Sequence, residues 1–178
     1  MTVMKKSEID EAPPDLGEIC FVSADMKERI LELTHQSFTD NPLFKSRFTN
    51  RRYFSHAESR RYYAAWIENH IRDERSLFAV MKDAAGKPAG YLIYKRAGKY
   101  QGKPLYRGVL VAVAPEHRGK KMHRALQSFV YRHFSEDEVC LTFTTQLANL
   151  SAMRNYIRLH TILDHAEIVL YRLRGEAR

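Results

Sequence analysis

The residues with the clearest chemical potential lie in the basic segment 111–126, VAVAPEHRGKKMHRAL. An apolar run stops at Pro115, which cannot donate a hydrogen bond within a sheet, and a pattern typical of an amphipathic helix follows at once. The first turn of a helix carries unpaired amide N–H groups and a partial positive charge, which bind phosphate readily after a strand. Four cationic side chains surround this start: Arg118, Lys120, Lys121 and Arg124. The segment predicts a phosphate site, with a solvated basic helix start as the alternative.

A second pair of polar residues lies in a later predicted helix. Asn149 and Tyr156 are seven residues apart. On a helix of 3.6 residues per turn they share one face, two turns apart. A helical tyrosine alone is as well explained by packing, but this pair follows the phosphate segment after a single predicted strand.

Strands and helices of ordinary length must position these two segments. Apolar runs bounded by turn formers predict strands at 16–22, 77–81, 89–95, 108–114, 139–145 and 168–173. Helical periodicity predicts helices at 23–38, 55–73, 118–134 and 149–159. Ser23 is a candidate N-cap, and Ser55 with Glu58 has the spacing of a capping box. Residues 39–54 are expected to line a ligand pocket, and residues 97–104 to form a connection.

The bulk properties indicate one globular domain. The chain has 178 residues, of which 44% are hydrophobic and 28% charged, and this suits a single core without disulfide or metal staples. Residues 1–15 include Pro13-Pro14 and show no periodicity, so we expect a flexible N-terminal arm followed by one domain over 16–178. The order of elements predicts a mixed α/β fold with helices covering a central sheet.

Several kinds of segment and site are not expected. The N-terminal lysines have no apolar stretch behind them, and no run reaches the roughly 20 apolar residues of a membrane helix. The expected location is therefore the cytoplasm. Cys20 and Cys140 lie in apolar runs and indicate reduced thiols. The eight histidines show no H-E-x-x-H pattern and no dinucleotide or Walker loop is present, so no metal is expected.

The segment 111–126 resembles the pyrophosphate loop of the GNAT acetyltransferases, whose usual form is V-x-P-x-x-[R/Q]-G-x-G-x-[G/A]. Four residues match this form: Val113, Pro115, Arg118 and Gly119. Lys121 and His123 depart from it, because the family has small residues there that let the backbone approach phosphate. Their side chains are expected to swing outward and to add positive charge.

The helix with Asn149 and Tyr156 is similar to a second block of that family, N-x-x-A-x-x-x-Y, in which Ala152 supplies the alanine. In the family the asparagine contacts the cofactor arm and the tyrosine hydroxyl protonates the departing thiolate. The resemblance therefore implies Tyr156 as the catalytic acid and acetyl-CoA as the cosubstrate. It also implies a central twisted, largely antiparallel sheet with one splayed parallel pair, flanked by helices on both faces. The implied cofactor contacts come from Leu110, Val111, Val113, Arg118, Gly119, Lys120, Lys121, Met122, His123, Asn149 and Tyr156.

The general base is left unassigned. The strand 105–113, LYRGVLVAV, has no carboxylate or histidine, although many members of the family place a glutamate there. An ordered water leading to solvent, Glu116, His117 and His123 are the candidates, and the last three lie beside the phosphate loop.

Segments outside these blocks resemble the dTDP-4-amino-sugar N-acetyltransferases. Four stretches carry this resemblance: 46–48 (SRF), 62–69 (YYAAWIEN), 144–149 (TTQLAN) and 171–172 (YR). It implies acetyl transfer to a nucleotide-linked 4-amino-4,6-dideoxyhexose, with Arg47, Tyr62 and Trp66 at the substrate. For each of these three residues, core packing or a solvated surface is the alternative.

The net charge of +8 implies an anionic partner and leaves two other functions open. A nucleic-acid-binding module would use stretches such as 47–53, RFTNRRY, but no recognised nucleic-acid motif appears. A GNAT-fold enzyme that takes its acyl group from acyl carrier protein would meet a single phosphate, with Lys121 and His123 facing the acidic partner. The expected partner is a small-molecule amine, without nucleic acid or membrane, and the oligomeric state stays open between monomer and homodimer.

Overall fold

A computed structural model of the protein describes residues 2–5, 17–42, 44, 46–146, 149–158, 163 and 166. Its strands form one six-stranded sheet in the order β1-β6-β5-β4-β3-β2. They are β1 (Thr2–Lys5), β2 (Ile19–Phe21), β3 (Ser76–Lys82), β4 (Pro88–Tyr100), β5 (Lys103–Val113) and β6 (Glu138–Phe143). Every neighbouring pair is antiparallel except β5 with β6, which is parallel. The predicted mixed sheet with one parallel pair is confirmed.

Four α-helices accompany the sheet in the described residues: α1 (Lys27–Thr34), α2 (His56–Arg72), α3 (Met122–Arg132) and α4 (Leu150–Arg158). A 3-10 turn, Ala24–Met26, leads into α1, and a π-helical turn, His35–Thr39, continues it. The predicted capping box is present, because the Ser55 hydroxyl accepts from the Glu58 N–H and the Glu58 carboxylate accepts from the Ser55 N–H. The capping role predicted for Ser23 is wrong, since its side chain makes no such hydrogen bond.

The helices cover both faces of the sheet, as predicted. The first half of β4 is buried on both sides, and its successive residues point to opposite faces. Tyr91 and Ile93 pack with α1 and α2, whereas Leu92 and Tyr94 pack with α3. Two separate cores therefore lie on either side of the central strands.

Two predictions about irregular segments are wrong. Thr2–Lys5 pairs with β6, Thr2 lying opposite Leu141, so this part of the expected flexible arm is an edge strand. Residues 97–104, expected to be a connection, continue β4 and β5 into one long hairpin that turns at Gln101-Gly102. The predicted strand 168–173 lies outside the described residues.

None of the helices within the described residues combines the length and the apolar character needed to cross a bilayer.

Candidate active site

The parallel strands β5 and β6 lie side by side over only part of their length. Their register joins 105–108 to 140–143, whereas β5 continues to Val113 and β6 ends at Phe143. Within the described part of the chain, no strand pairs with residues 109–113 on the side away from β4. The sheet therefore opens here into a cleft, and the free edge of β5 forms one wall of it.

One hydrogen bond fixes the direction of the β5 backbone. The Ala114 N–H donates to the Ala89 carbonyl at 2.9 Å, so the polar groups of Ala114 face β4. Because these groups alternate sides along a strand, those of Val111 and Val113 point into the cleft. The polar groups of Leu110 face β4, which leaves only its side chain for the predicted cofactor contact.

A β-bulge lies in β5 at the point where β5 and β6 separate. Ile93 pairs with Leu110 and Tyr94 pairs with Gly108, so Val109 has no partner on β4. A bulge bends its strand and leaves the extra residue outside the ladder. Sequence reasoning misses Val109, because the apolar run around it looks the same with or without a bulge.

The segment after β5 has the turn and helix start on which the anion site was predicted. Pro115–His117 is a 3-10 turn, and at the start of α3 the Ala125 N–H donates to the Lys121 carbonyl at 3.2 Å. The amides of Met122 and His123 precede that bond in the first turn of α3, and Lys121 provides no side-chain cap. These N–H groups stand at the positive end of α3, where anions are stabilised.

Lys121 stands in a left-handed backbone conformation, with φ of 61°. This conformation costs an L-residue about 1–2 kcal/mol, and glycine adopts it freely. The side chains of Arg118, Lys120 and Lys121 are exposed. The Arg118 guanidinium donates to the Val113 carbonyl at 3.0 Å, and so links the loop to the end of β5.

His123 does not add charge to this loop at neutral pH. The side chain is half-buried, and burial lowers the pKa of His123 to about 4. The imidazole is therefore neutral at pH 7, contrary to the expectation from sequence. The positive charge of the loop comes from its arginine and lysine side chains.

The start of α3 is held close to the sheet by a glycine. A β-carbon on Gly90 would lie 2.8 Å from the Met122 sulfur and 3.2 Å from the Ala112 carbonyl oxygen. Both distances are shorter than ordinary van der Waals contact, so a larger residue at 90 would push the helix start away. Met122 therefore positions the helix, with its side chain in the core.

Asn149 and Tyr156 lie at the start and on the body of α4. The Asn149 side-chain oxygen accepts from the Ala152 N–H at 3.2 Å, which caps the helix. The Asn149 NH2 group is then its donor for a ligand. The predicted helix that brings both residues to one face is present.

The Tyr156 ring packs at the point where the strands part. It stacks on Phe143, the last residue of β6, with ring centroids 4.7 Å apart. Phe143 fits there because residue 108 is glycine, and a β-carbon on Gly108 would lie 2.8 Å from the Phe143 ring. Burial raises the pKa of Tyr156 to about 12. The phenol therefore keeps its proton at neutral pH, as a general acid must.

A buried hydroxyl pair interacts electrostatically with Tyr156. The hydroxyls of Tyr94 and Tyr131 are 3.0 Å apart, and the Gln127 NH2 group donates weakly to both, at 3.5 and 3.4 Å. Burial raises the pKa of both phenols, and electrostatic interaction with Tyr156 raises both further. The Tyr156 hydroxyl therefore lies within electrostatic reach of this pair. The sequence does not indicate the pair, because Tyr94 lies on β4 whereas Gln127 and Tyr131 lie on α3.

The residues predicted to bind the acceptor gather on the opposite face of the sheet from α3. The Arg47 guanidinium lies 4.7 Å from the centre of the Phe48 ring, which stacks on Tyr62 at 3.9 Å. Tyr62 is 40% exposed, whereas Trp66 is half-buried in the core of α1 and α2. Val109 at the bulge packs against the same core.

A model of the Acetyltransferase (GNAT) family matches residues 42–160, more than half of the chain. The chain belongs to this family. The matched range includes the β5–α3 loop, Asn149 and Tyr156. The expectation of a GNAT acyltransferase is confirmed, and members of the family use acetyl-CoA.

Solved structures share the GNAT fold with this chain. An acetyltransferase from Trypanosoma brucei has a TM-score of 0.59 at 17% identity, covering 87% of this chain and 99% of its own. Ribosomal-protein-alanine N-acetyltransferase from Brucella melitensis biovar Abortus 2308 has a TM-score of 0.58 at 14% identity, covering 87% of this chain and 99% of its own. AAC(6')-Iy, in complex with the bisubstrate analogue CoA-S-monomethyl-acetylneamine, has a TM-score of 0.56 at 13% identity, covering 88% of this chain and 97% of its own. At these identities the likeness shows the fold alone. No curated protein matches the chain.

The described residues of this GNAT chain offer no metal centre. No group of three or more histidine, cysteine, aspartate or glutamate side chains among them could hold an ion. Cys20 and Cys140 are free thiols.

Proposed function

We propose that the protein transfers the acetyl group of acetyl-CoA to a primary amine, with Tyr156 as the general acid. The observation that carries this proposal is the opening between β5 and β6. The free edge of β5 forms its wall, the first turn of α3 follows at the end of the same strand, and Tyr156 stacks at the end of β6. Family membership supports acyl transfer.

The residues present suit the parts of acetyl-CoA. The amides of Met122 and His123 and the cations Arg118, Lys120 and Lys121 would bind the diphosphate, since a helix start and positive side chains both favour an anion. The inward-facing N–H and C=O groups of Val111 and the N–H of Val113 would pair with the amides of the pantetheine arm, as a further strand would. Asn149 would contact the same arm through its NH2 group.

The reaction needs three conditions at the thioester. A neutral amine must lie beside the thioester carbon, and holding both reactants in place supplies effective molarities of about 10⁵ M or more. A backbone N–H from 109–113 would bind the carbonyl oxygen as it becomes negative. Tyr156 would donate its proton to the departing thiolate.

The acceptor class proposed is a nucleotide-linked 4-amino-4,6-dideoxyhexose. Arg47 places a cation over Phe48, and the Phe48 ring continues into the exposed ring of Tyr62. A cation next to stacked aromatic rings suits a diphosphate attached to a planar base. Trp66 lies behind this layer and would fix its position.

The test is acetylation of four amines by the purified protein. Acetyl-CoA is supplied with a dTDP-linked 4-amino-4,6-dideoxyhexose, spermidine, lysine or a peptide with a free N-terminal alanine, and thiol release and acetylated product are measured. We expect the highest kcat/KM with the nucleotide sugar. A higher value with another amine would contradict the acceptor class but not the acyl transfer. Absence of product from all four would contradict the proposed function.

A further inference from the structure

The Phe143 ring contacts two tyrosine rings at once. Its plane is only 20° from that of Tyr156 on α4, at a centroid distance of 4.7 Å. It meets Tyr94 on β4 nearly at a right angle, 74°, with centroids 5.8 Å apart. Stacked and edge-to-face contacts are the two arrangements that aromatic rings prefer. Phe143 therefore connects the phenol that we assign as the acid with a ring of the sheet.

Tyr94 has a fixed position in the core. Its side chain is fully buried, and its ring packs against Tyr131 and Phe134, with centroids 5.8 and 6.2 Å away. Its hydroxyl pairs with that of Tyr131 at 3.0 Å. Since protein interiors are close-packed and buried hydroxyls keep their partners, the Tyr94 ring has little freedom to move. Phe143 therefore packs on a rigid surface.

Residue 108 must lack a side chain for Phe143 to occupy this place. Gly108 pairs with Phe143 on β6 and with Tyr94 on β4, so it lies beside both rings. A β-carbon here would lie 2.8 Å from Cδ1 and 3.3 Å from Cε1 of Phe143, and 3.6 Å from Cε1 of Tyr94. Gly108 does not have a positive φ, so its backbone conformation does not require glycine. The contact with the Phe143 ring requires it.

The stacked rings lie where the cleft begins. Gly108 and Phe143 form the last pair in the register of β5 with β6, and the free edge of β5 continues beyond them to Val113. Tyr156 makes no hydrogen bond to another of the described residues. The direction of its hydroxyl is therefore set by packing, and Phe143 is the ring stacked on it.

Proton transfer to the departing thiolate depends on that direction. A general acid acts only when its proton lies within hydrogen-bond reach of the acceptor atom. A misplacement of about 1 Å can lower a rate by about 10²-fold. Because a tyrosine side chain turns about two torsions, a flat ring stacked on it limits where the phenol oxygen can lie.

We propose that Phe143 is a positioning residue, whose ring holds the Tyr156 phenol at the opening between β5 and β6. Gly108 leaves the space that this ring needs. The inference rests on the proposed function. Phe143 itself forms no bond in the reaction: the acetyl group passes from sulfur to the amine, and the Tyr156 proton passes to the thiolate.

The test is a double-mutant cycle of Phe143→Leu and Tyr156→Phe, with acetyl-CoA and the most reactive of the four amines. Phe143→Leu alone should lower kcat by about tenfold, a part of the loss of about 10²-fold that removal of the Tyr156 hydroxyl would cause. KM for acetyl-CoA should stay unchanged. In the Tyr156→Phe protein the same substitution should cause no further fall, because the hydroxyl that Phe143 positions is already absent.

Two further variants perturb or restore the same contact. Gly108→Ala pushes a β-carbon against the Phe143 ring and should lower kcat in the same direction, so it carries the test where Phe143→Leu does not fold. Phe143→Tyr keeps the flat ring and should keep most of the wild-type rate.

The matched control is Phe129→Leu. Phe129 is also a half-buried phenylalanine, but its ring packs against Phe21 and His133, with centroids 5.2 and 4.3 Å away. The variant removes the same ring away from the cleft and should keep the wild-type kcat.

The outcomes separate this inference from the proposed function. An equal fall in kcat with and without the Tyr156 hydroxyl, or a wild-type rate for Phe143→Leu, would overturn the positioning role and leave acetyl transfer standing. Failure of the wild type to bind acetyl-CoA in a calorimetric titration would overturn the proposed function itself. A readout without turnover is the ring signals of Tyr156 in ¹³C-tyrosine-labelled protein, which should move in Phe143→Leu as the ring current of Phe143 is lost. Unchanged ring signals would overturn the stacking on which the inference depends.

Discussion

The backbone of Lys121 gives a prediction whose magnitude follows from the structure. Its left-handed φ of 61° costs about 1–2 kcal/mol that glycine would not pay. Lys121→Gly also makes the unfolded chain more flexible, which destabilises the folded state by about 0.4–1 kcal/mol. The difference is a net stabilisation of about 1 kcal/mol. For a domain of this size, the melting temperature should rise by about 2–4 °C.

The matched control for this prediction is Lys120→Gly. Lys120 is the preceding residue, is also exposed and does not have a positive φ, so the two variants lose the same charge. Lys120→Gly should lower the free energy of unfolding by about 0.4–1 kcal/mol, because only the unfolded-state term remains. Urea unfolding of both variants measures the difference. If Lys121→Gly were no more stable than Lys120→Gly, the strain at Lys121 would be refuted.

The remaining predictions concern the buried groups around the site. Tyr156→Phe should lower kcat by about 10²-fold with little change in the calorimetric affinity for acetyl-CoA, and an unchanged rate would remove Tyr156 from the acid role. Tyr131→Phe should lower the free energy of urea unfolding by about 1–3 kcal/mol, because Tyr94 loses a buried partner; a neutral result would contradict the hydrogen bond between them. Between pH 6.5 and 4 the unfolded chain protonates His123 while the folded chain does not, so stability should fall as the pH drops through this window. His123→Gln should remove this part of the slope in thermal unfolding, and an identical slope would contradict the lowered pKa.

Much of the fold could be predicted because its elements have clear periodicity. The apolar run before Pro115 and the amphipathic pattern after it place β5 and α3 correctly. The predicted start of α3 at residue 118 was four residues too early, since Gly119 and Lys121 adopt positive φ and only then does the helix begin. Helical pattern reports which residues face the core, whereas the start of a helix depends on individual backbone angles.

The parts that could not be predicted depend on tertiary pairing. Residues 97–104 are rich in glycine and lysine, which are poor strand formers, yet they form strands because β4 and β5 pair with each other up to the turn of the hairpin. Residues 2–5 become a strand only because β6 offers a free edge. The strand propensity of a segment carries no information about the distant strand with which it pairs.

The residues of the candidate site also differ in how well the sequence could predict them. The diphosphate loop and Tyr156 lie in continuous motifs, so spacing could indicate them. The buried hydroxyls of Tyr94 on β4 and Tyr131 on α3 are thirty-seven residues apart in sequence, and the packing of α3 on the sheet brings them together. A pair of this kind has no spacing that a sequence would reveal.

The most direct test of the central claim is a titration of ¹⁵N-labelled protein with CoA, observed through the backbone amides. If the start of α3 binds the diphosphate, the amide signals of residues 122–124 should shift with CoA and stay in place with pantetheine, which lacks the diphosphate. Unchanged signals at 122–124 under saturating CoA would contradict the account.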